Sequence, residues 1–293
     1  MVQFRVAAIN RYPVKSMRGE ALDATIITSD GIPFDRGWAI KDEKSGNITG
    51  AKRFGKLLGC SARYLEGTNA GLVPHAEITL PNGRTINTDD SAVNKTLSDV
   101  LSHPVSLWPI EPADNEEHYR INRAEDADLE QEFRTTSALL PDEPLPDLSN
   151  FPPELLQELT SYASPRGTYF DAFPINLLTQ ASLRRLEDLL PEATVGTHRF
   201  RPNILLEDDE ALRQTAELEW VGHVMNIDGV RLSIVAECPR CIMVTREQPG
   251  YEKCPDVMRT LVRETQQNFG IYATVKQEGK ISVGDVVAVT PSS

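Results

Sequence analysis

Short runs of alternating apolar and polar residues fill residues 1–110 of the chain. The stretches FRVAAINRYPV and DATIITSDG each predict a β-strand, because successive side chains of a strand point to opposite faces. GWAIKDEKSGNITG and AEITLPNGRTIN predict hairpins, the second around Asn82-Gly83, a pair that favours a tight turn. DDSAVNKTLSDVLS predicts an amphipathic helix. The pattern therefore predicts a mostly antiparallel, barrel-like domain over residues 1–110.

A second set of strand patterns occupies residues 166–290. FPINLLTQASLRRLEDLLP predicts a strand that becomes a helix at Thr179, and DVMRTLVRETQQN predicts another helix. Strands are predicted for RFRPNILLE, HVMNIDGVRLSIVAE, IMVTRE and GIYATVKQEGKISVGDVVAVTP. Together the patterns predict a mainly β protein of the α+β class, with two β-barrel-like domains and a few helices.

Residues 111–165 differ in character from both flanking parts. EPADNEEHYRINRAEDADLEQEF is densely charged, and LLPDEPLPDLSNFPPELLQELTSYASP is crowded with proline. This composition predicts an exposed, acidic and proline-rich linker or insertion. A lid over an active site is the alternative interpretation.

The charge of the 293-residue chain limits its partners. Its formal net charge is −13 and its pI is about 4.9. Polyanions are held by clustered Lys and Arg, so this charge argues against nucleic acid as a polymer and against anionic membrane surfaces as partners. No apolar run predicts a membrane span, and the chain starts without the pattern of a secretory signal. Four cysteines without such a signal do not indicate a disulfide framework, and we expect a cytoplasmic protein.

The stretch ECPRC places Cys238 and Cys241 three residues apart, with Arg240 between them. A redox dithiol usually lies where a strand meets a helix, whereas this pair lies between two predicted strands. A structural zinc site needs four ligands, and the chain has no second cysteine pair and no His-x₃₋₅-His spacing. A pair of small buried side chains is a third interpretation. The pattern favours the fourth, one reactive thiolate at Cys241, because Arg240 favours the charged form and thiolates suit soft or high-valent metals.

Three stretches carry candidate anion-binding residues. YPVKSMRG places Lys15 and Ser16 just after the first strand, and FDRGW offers Arg36. FRPN offers Arg201 and Asn203 on either side of a proline, and an arginine fork with an amide suits a phosphate or a planar heterocycle. The alternative interpretations are a solvated turn for YPVKSMRG, an Asp35–Arg36 ion pair for FDRGW and a capped strand for FRPN. No dinucleotide-binding or ATP-binding glycine motif is present, nor a His-Glu-x-x-His or Gly-x-Ser-x-Gly motif.

Taken in order, these motifs resemble the MOSC superfamily with its N-terminal β-barrel domain. The stretches YPVKSMRG and TSDGIPFDRGWAI resemble the opening of that domain. The MOSC domain resembles DAFPINLLTQASL, RFRPNILLE, ECPRC, NFGIYATV and GKISVGDVV. The resemblance covers nearly the whole chain apart from residues 111–165.

The resemblance implies a molybdopterin enzyme similar to the mitochondrial amidoxime reducing component. It implies that Cys241 is the molybdenum ligand and the catalytic cysteine, with Cys238 in a supporting or structural role. It implies that the cofactor phosphate binds Lys15, Ser16 and Arg36, and that the pterin binds Thr179, Ser182, Arg201 and Asn203. The implied reaction is the two-electron reduction of small N-hydroxylated substrates, such as amidoximes, hydroxylamines and N-hydroxylated bases. Pyridoxal phosphate is not expected, because in the sulfurases it belongs to a separate aminotransferase-like domain.

Two departures and one absence qualify the implied activity. Relatives often carry Thr-Thr-x-Asp-Pro where this chain reads IMVTREQPG, and Thr-x-Arg where it reads TGAKR, which leaves substrate choice open. The chain has no iron–sulfur cluster motif, so electrons must come from a separate donor protein. The rival hypothesis is a non-catalytic protein that binds or carries molybdopterin or sulfur.

Overall fold

The computed structural model describes residues 4–65, 73–208 and 216–291. Its first nine strands are β1 (Phe4–Arg11), β2 (Glu20–Leu22), β3 (Ala24–Ile27), β4 (Trp38–Asp42), β5 (Ile48–Thr49), β6 (Ser61–Tyr64), β7 (Ala76–Thr79), β8 (Thr85–Asn87) and β9 (Val105–Pro109). They are followed by β10 (Ile175–Thr179), β11 (Ile204–Glu207), β12 (His223–Ile227), β13 (Val230–Pro239), β14 (Asn268–Gln277), β15 (Gly279–Ser282) and β16 (Val286–Pro291). The helices are α1 (Val93–Leu101), α2 (Glu116–Tyr119), α3 (Leu129–Ser137), α4 (Pro153–Ser161), α5 (Gln180–Leu189), α6 (Thr197–Phe200) and α7 (Asp256–Thr265). Short 3-10 helices lie at Gly55–Gly59, Ala216–Trp220 and Ile242–Thr245.

A closed seven-stranded barrel is the larger of the two β structures. Its strand order is β11-β10-β14-β13-β12-β16-β1, and pairing of β1 with β11 closes it. Neighbours are antiparallel except β10 and β11. The barrel interior is filled by aliphatic side chains that alternate along its strands, among them Val6, Ile9, Ile175, Leu177, Ile204, Met225, Leu232 and Ile271.

The first strand of the chain belongs to this barrel and not to the sheets that follow it in sequence. Val6 and Ile9 of β1 are completely buried in the barrel core, and β3 pairs with β15 near the other end of the chain. Alternation in β1 correctly indicates a strand with one buried face. It carries no information about which distant strand becomes the neighbour, because pairing depends on the tertiary fold.

The N-terminal β structure consists of two three-stranded sheets, β5-β4-β9 and β6-β7-β8. With α1 they enclose one hydrophobic core that includes Trp38, Ile40, Leu57, Ala62, Ile78, Leu97 and Leu107. The chain between β1 and β2 runs between the two sheets, since Val14 bridges to Trp38 and Arg18 bridges to Ser61. Lys15 and Ser16 are therefore held at the junction of the two sheets.

Residues 111–165, called the cap below, fold into α2, α3 and α4 and are fastened at several points. Asn122 and Asn47 exchange two hydrogen bonds, which tie the cap to the hairpin of β4 and β5. Arg259 of α7 donates to the Glu143 carboxylate and to the Ala138 carbonyl of the cap. The cap is thus bonded to both flanking parts of the chain.

The predicted mainly β, α+β class is confirmed, as are the two hairpins and the helices predicted at α1, α5 and α7. The strand predicted for IMVTRE is wrong, because Ile242–Thr245 forms a 3-10 helix. Its neighbouring residues Met243 and Val244 are both buried, and they belong to two different hydrophobic cores. Within the described residues, no helix combines the length and the apolar character needed to cross a membrane.

Candidate functional site

A cavity of about 740 Å³ lies where the N-terminal sheets, the barrel and the cap meet. Each of the three parts supplies a distinct chemistry to its wall. The N-terminal part contributes Lys15, Ser16, Lys52 and Arg53, and the barrel part contributes Asp171, Arg240, Cys241, Gln267 and Tyr272. The cap contributes mostly apolar side chains, including Leu129, Phe133, Leu148, Phe151, Leu156 and Leu159.

The two cysteines of ECPRC lie in different environments. Cys238, near the end of β13, is 1% exposed and packs among Phe151, Phe173 and Tyr272. Burial raises the pKa of the Cys238 thiol, although nearby Arg240 opposes the shift. Cys241 follows the strand, is partly exposed and lines the cavity. Only Cys241 of this pair is therefore placed as a thiol that a bound group can reach.

Arg240 is held by oxygen atoms of the surrounding backbone. Its Nε donates to the Phe269 carbonyl at 2.6 Å and its Nη1 to the Phe200 carbonyl at 2.9 Å.

Burial alone would lower the pKa of Lys52, but the negative charges of Cys241 and Asp171 raise it above the usual value. Lys52, which the sequence motifs did not single out, is therefore a cation on the cavity wall that interacts with the Cys241 thiol.

Lys15 and Asp171 form the polar centre of the cavity wall. Lys15 Nζ donates to the Tyr169 carbonyl at 2.7 Å and to Asp171 Oδ1 at 3.0 Å. Burial lowers the pKa of Lys15, and Asp171 offsets part of this effect. Burial would raise the pKa of Asp171, but Lys15, Lys52 and Arg36 together hold it well below its usual range. One carboxylate thus faces three cations, which leaves this region net positive.

Ser16 is held in a conformation that is uncommon for a residue with a side chain. Its φ is 71°, in the left-handed region. Its Oγ accepts the Ala51 N–H at 2.9 Å. A Cβ on Gly50 would lie 2.3 Å from that Oγ, so the glycine permits the close approach of the two segments.

Arg36, Arg201 and Asn203 lie together in a buried polar network next to the cavity wall. The Asp35 carboxylate pairs with Arg36 and accepts hydrogen bonds from the Tyr12 N–H at 2.7 Å and from Asn203 Nδ2 at 2.8 Å. These three predicted residues do not themselves line the cavity. The network nevertheless joins the first part of the chain to the barrel at the segment that carries Lys15.

Arg201 occupies the part of this network that reaches the Lys15 segment. Its guanidinium carbon lies 4.2 Å from the centroid of the Tyr12 ring, and its Nη1 donates to the Met17 carbonyl at 2.5 Å. Burial lowers the pKa of Arg201 to about 10. Its Nη2 is buried and has no hydrogen-bond partner among the described residues. The segments YPVKS and FRPN, distant in sequence, are therefore in direct contact.

Thr179 and Ser182 lie elsewhere, at the start of α5, and neither lines the cavity. Thr179 Oγ1 accepts the Ser182 N–H at 3.2 Å, which caps the helix. Both hydroxyls also donate to the buried Glu217 carboxyl, at 2.9 and 2.5 Å. In this structure they anchor an acid inside the barrel part, and their predicted contact with a pterin stays a prediction.

Lys52, Asp171, Gln267 and Tyr272 line the cavity but were not among the candidate site residues chosen from the sequence. Lys52 stands in TGAKR, the stretch in which the chain departs from its relatives, and that departure was the available signal. Asp171 and Gln267 stand in stretches with no recognisable ligand spacing. Among the described residues, no three His, Cys, Asp or Glu side chains cluster as a metal site.

Comparison with known protein families identifies two domains in the chain. Residues 165–288 match the model of the MOSC domain, and residues 3–106 match that of the MOSC N-terminal beta barrel domain. The chain therefore contains a MOSC domain and a MOSC N-terminal beta barrel domain. The cavity of this MOSC protein lies between its two matched regions and the cap that separates them in sequence.

Curated relatives of the MOSC protein have names that refer to amidoxime reduction or to the molybdenum cofactor. It is 26% identical to mitochondrial amidoxime reducing component 2 of Rattus norvegicus, over 94% of this chain and 80% of the rat protein. It is 32% identical to the Homo sapiens protein of the same name, over 41% of this chain and 38% of the human one. It is 30% identical to molybdenum cofactor sulfurase of Drosophila melanogaster, over 39% of this chain but only 15% of the sulfurase.

Proposed function

We propose that this protein binds a molybdopterin-type molybdenum cofactor in the cavity and reduces small N-hydroxylated compounds with electrons from a separate donor protein. The observation that carries the proposal is one partly exposed thiol, Cys241, on the wall of a cavity that also presents Lys15 and Lys52. A thiolate is a suitable extra ligand for a soft or high-valent metal, and two cations suit a phosphate tail. Amidoxime reduction is taken from the name of the relatives.

The residues present fit such a cofactor. Arg201 Nη2 is buried without a partner among the described residues, so the network beside the cavity has a guanidinium N–H to offer to an acceptor. Cys241 would be the metal ligand, Lys15 and Ser16 would hold the phosphate, and Arg201 and Asn203 would support the pterin. When bound, the cofactor supplies the metal that exchanges two electrons with the substrate.

The side chains of the chain itself then bind, orient and exclude water. Lys15 pairs with Asp171, so an anion that enters must share Lys15 with that carboxylate. The interaction with Cys241 and Asp171 raises the pKa of Lys52, so Lys52 offers a positive charge on the cavity wall near this thiol. The apolar cap residues Phe133, Phe151 and Leu159 line the cavity and reduce the water in contact with it.

The test is a paired assay on protein made in a molybdopterin-competent cell, with its molybdenum content confirmed by metal analysis. We expect reduction of benzamidoxime with dithionite-reduced viologen or a donor protein, and no reduction with NADH alone. Activity with NADH alone would mean that the protein has a further cofactor site. No activity under either condition, with molybdenum present, would favour a cofactor carrier.

A matched cysteine pair tests the role of Cys241. We expect Cys241→Ala to abolish the viologen-dependent activity with little change in the urea midpoint of unfolding, because this thiol is partly exposed. Cys238→Ala should lower stability by about 1–2 kcal/mol, since it removes a buried atom from a packed cluster, and should keep part of the activity. Equal loss of activity and stability in both variants would indicate a structural pair.

A further inference from the structure

Gln267 is a buried amide on the wall of the cavity. It is 2% exposed and is the second residue after α7, directly before β14. Its φ is 74° and that of Gln266 is 50°, so two consecutive residues with side chains adopt the left-handed region. Such a conformation is unfavourable for a residue other than glycine, and it persists where the surrounding contacts require it.

The orientation of the Gln267 amide is determined by its neighbour Arg240. Gln267 Nε2 donates to the Arg240 carbonyl at 2.5 Å, and the Arg240 N–H donates to the Gln267 carbonyl at 3.0 Å. A carbonyl oxygen only accepts, so the NH₂ group must face Arg240 and the Oε1 atom must face away from it. Arg240, which takes part in both bonds, directly precedes Cys241 in the chain.

Gln267 Oε1 is an acceptor without a donor. It is buried and has no hydrogen-bond partner among the described residues. Buried polar atoms in folded proteins are nearly always paired, because an unpaired one has lost its water without compensation. Since Gln267 lines the cavity, a molecule bound there is the natural source of the missing N–H or O–H donor.

The cap supplies the other half of this subsite. Leu129, Phe133, Phe151 and Leu159 line the same cavity, and their side chains consist of hydrocarbon only. A ligand that fits both features has a hydrogen-bond donor at one end and an apolar body at the other. An apolar body in such a wall is favoured by about 25 cal/mol for each Å² removed from water.

We infer that Gln267 is a specificity-determining residue that accepts a hydrogen bond from the N–H or O–H of a substrate head group. The cap holds the apolar body of that substrate, and the adjacent Cys241 places the head group at the reacting centre. The inference rests on the proposed function for the identity of the head group. It selects neutral N-hydroxylated compounds that carry an aromatic or aliphatic body.

The experiment measures binding, in the absence of reductant, so that it does not depend on turnover. Calorimetry on molybdenum-loaded protein compares benzamidoxime with its O-methyl derivative and its N,N-dimethyl derivative, which lack the O–H and the amino N–H donors. With the wild-type protein, we expect at least one derivative to bind about tenfold more weakly than benzamidoxime, since an unsatisfied buried acceptor is left behind.

Two variants complete the cycle. Gln267→Met keeps the length of the side chain and removes the acceptor, so the three ligands should bind it within about twofold of one another. Gln266→Met is the matched control, because Gln266 has the same chemistry and left-handed backbone but is exposed and lies outside the cavity wall. It should discriminate as the wild type does.

Several results would overturn the inference. One is discrimination by Gln267→Met equal to that of the wild type. Equal binding of the three ligands to the wild-type protein, or no binding of any, would also do so, even if Gln267→Met failed to fold. The proposed function fails separately: a protein that discriminates in the binding cycle but never reduces benzamidoxime keeps the subsite and loses the reductase.

Discussion

Glu217 gives the stability of this protein a pH dependence that can be worked out from the structure. Its side chain is 1% exposed and accepts hydrogen bonds from Thr179 Oγ1 and Ser182 Oγ. Burial raises the pKa of Glu217 to about 7, against an ordinary value of 4.5, even though the two hydroxyls favour the charged form. The folded protein therefore holds a proton on Glu217 that the unfolded chain releases at lower pH.

The sign and the size of the pH dependence of the unfolding free energy follow from this difference in pKa. Below about pH 4.5 both states are protonated, and the stabilising effect of the neutral acid is fully present. As the pH rises through about 7, the folded state must also ionise, and the effect is lost. A difference of about 2.5 pKa units corresponds to about 3 kcal/mol of unfolding free energy. Stability should thus fall between pH 4.5 and pH 7 and then level off with respect to this group.

The assay is urea unfolding at pH 5, 6, 7 and 8 for the wild type, Glu217→Gln and Glu219→Gln. The amide of Glu217→Gln stays neutral, so its stability relative to the wild type should rise by about 2.5 kcal/mol from pH 5 to pH 8. Glu219 is exposed in the same 3-10 helix and serves as the matched control, which should follow the wild type. Coincident pH profiles for the wild type and Glu217→Gln would refute the reasoning. Thr179 and Ser182 would then lie in a region open to solvent, where a ligand could reach them.

Two further variants probe the junctions of the fold. Asp35→Ala leaves the buried Arg36 without its partner, and we expect unfolding by urea to show a loss of about 3–5 kcal/mol; a loss below about 1 kcal/mol would contradict a buried ionic junction. Arg259→Ala removes the donor that fastens the cap to α7, so limited proteolysis should cut the cap faster while the melting temperature of the barrel changes little. An unchanged cleavage rate would show that other contacts hold the cap.

Features that depend on neighbouring residues were predictable from the sequence. The Asn82-Gly83 hairpin follows from turn chemistry, and the helix capped by Thr179 follows from leucines at helical spacing, which are both patterns over a few residues. The failure at IMVTRE has the same origin. A four-residue apolar run fits a strand or a helical turn equally well, and the division of Met243 and Val244 between two cores is decided by the tertiary fold.

The candidate site was predictable only where residues stand in a motif. Cys241, Lys15 and Ser16 line the cavity and were chosen from ECPRC and YPVKS. Lys52 and Asp171 line the same wall, but each looks like an ordinary charged surface residue in sequence. Their roles arise because separate segments converge on one cavity, a relation that no local pattern records.

The cap shows why composition alone suggested a linker. Its charged residues are mostly exposed, which is typical of a solvated segment, and they dominate the sequence between residues 111 and 165. The smaller number of apolar side chains, such as Leu129 and Phe133 at helical spacing, line the cavity. The few apolar residues thus determine where the segment packs, whereas the many charged residues determine the composition from which a linker was predicted.

The net charge of −13 and a cavity that suits an anion are compatible because the two charges are in different places. The cap contains 14 acidic and three basic side chains and so carries −11 of the −13, which leaves the rest of the chain close to neutral. Charges in bulk solvent are screened over about 8–10 Å, whereas Lys15 and Arg36, enclosed by protein, are screened much less. The acidic exterior therefore repels a polyanion such as nucleic acid, while a small anion inside the cavity interacts mainly with Lys15, Lys52 and Asp171. Net charge decides what approaches this protein, and the local arrangement around Cys241 decides what it can hold.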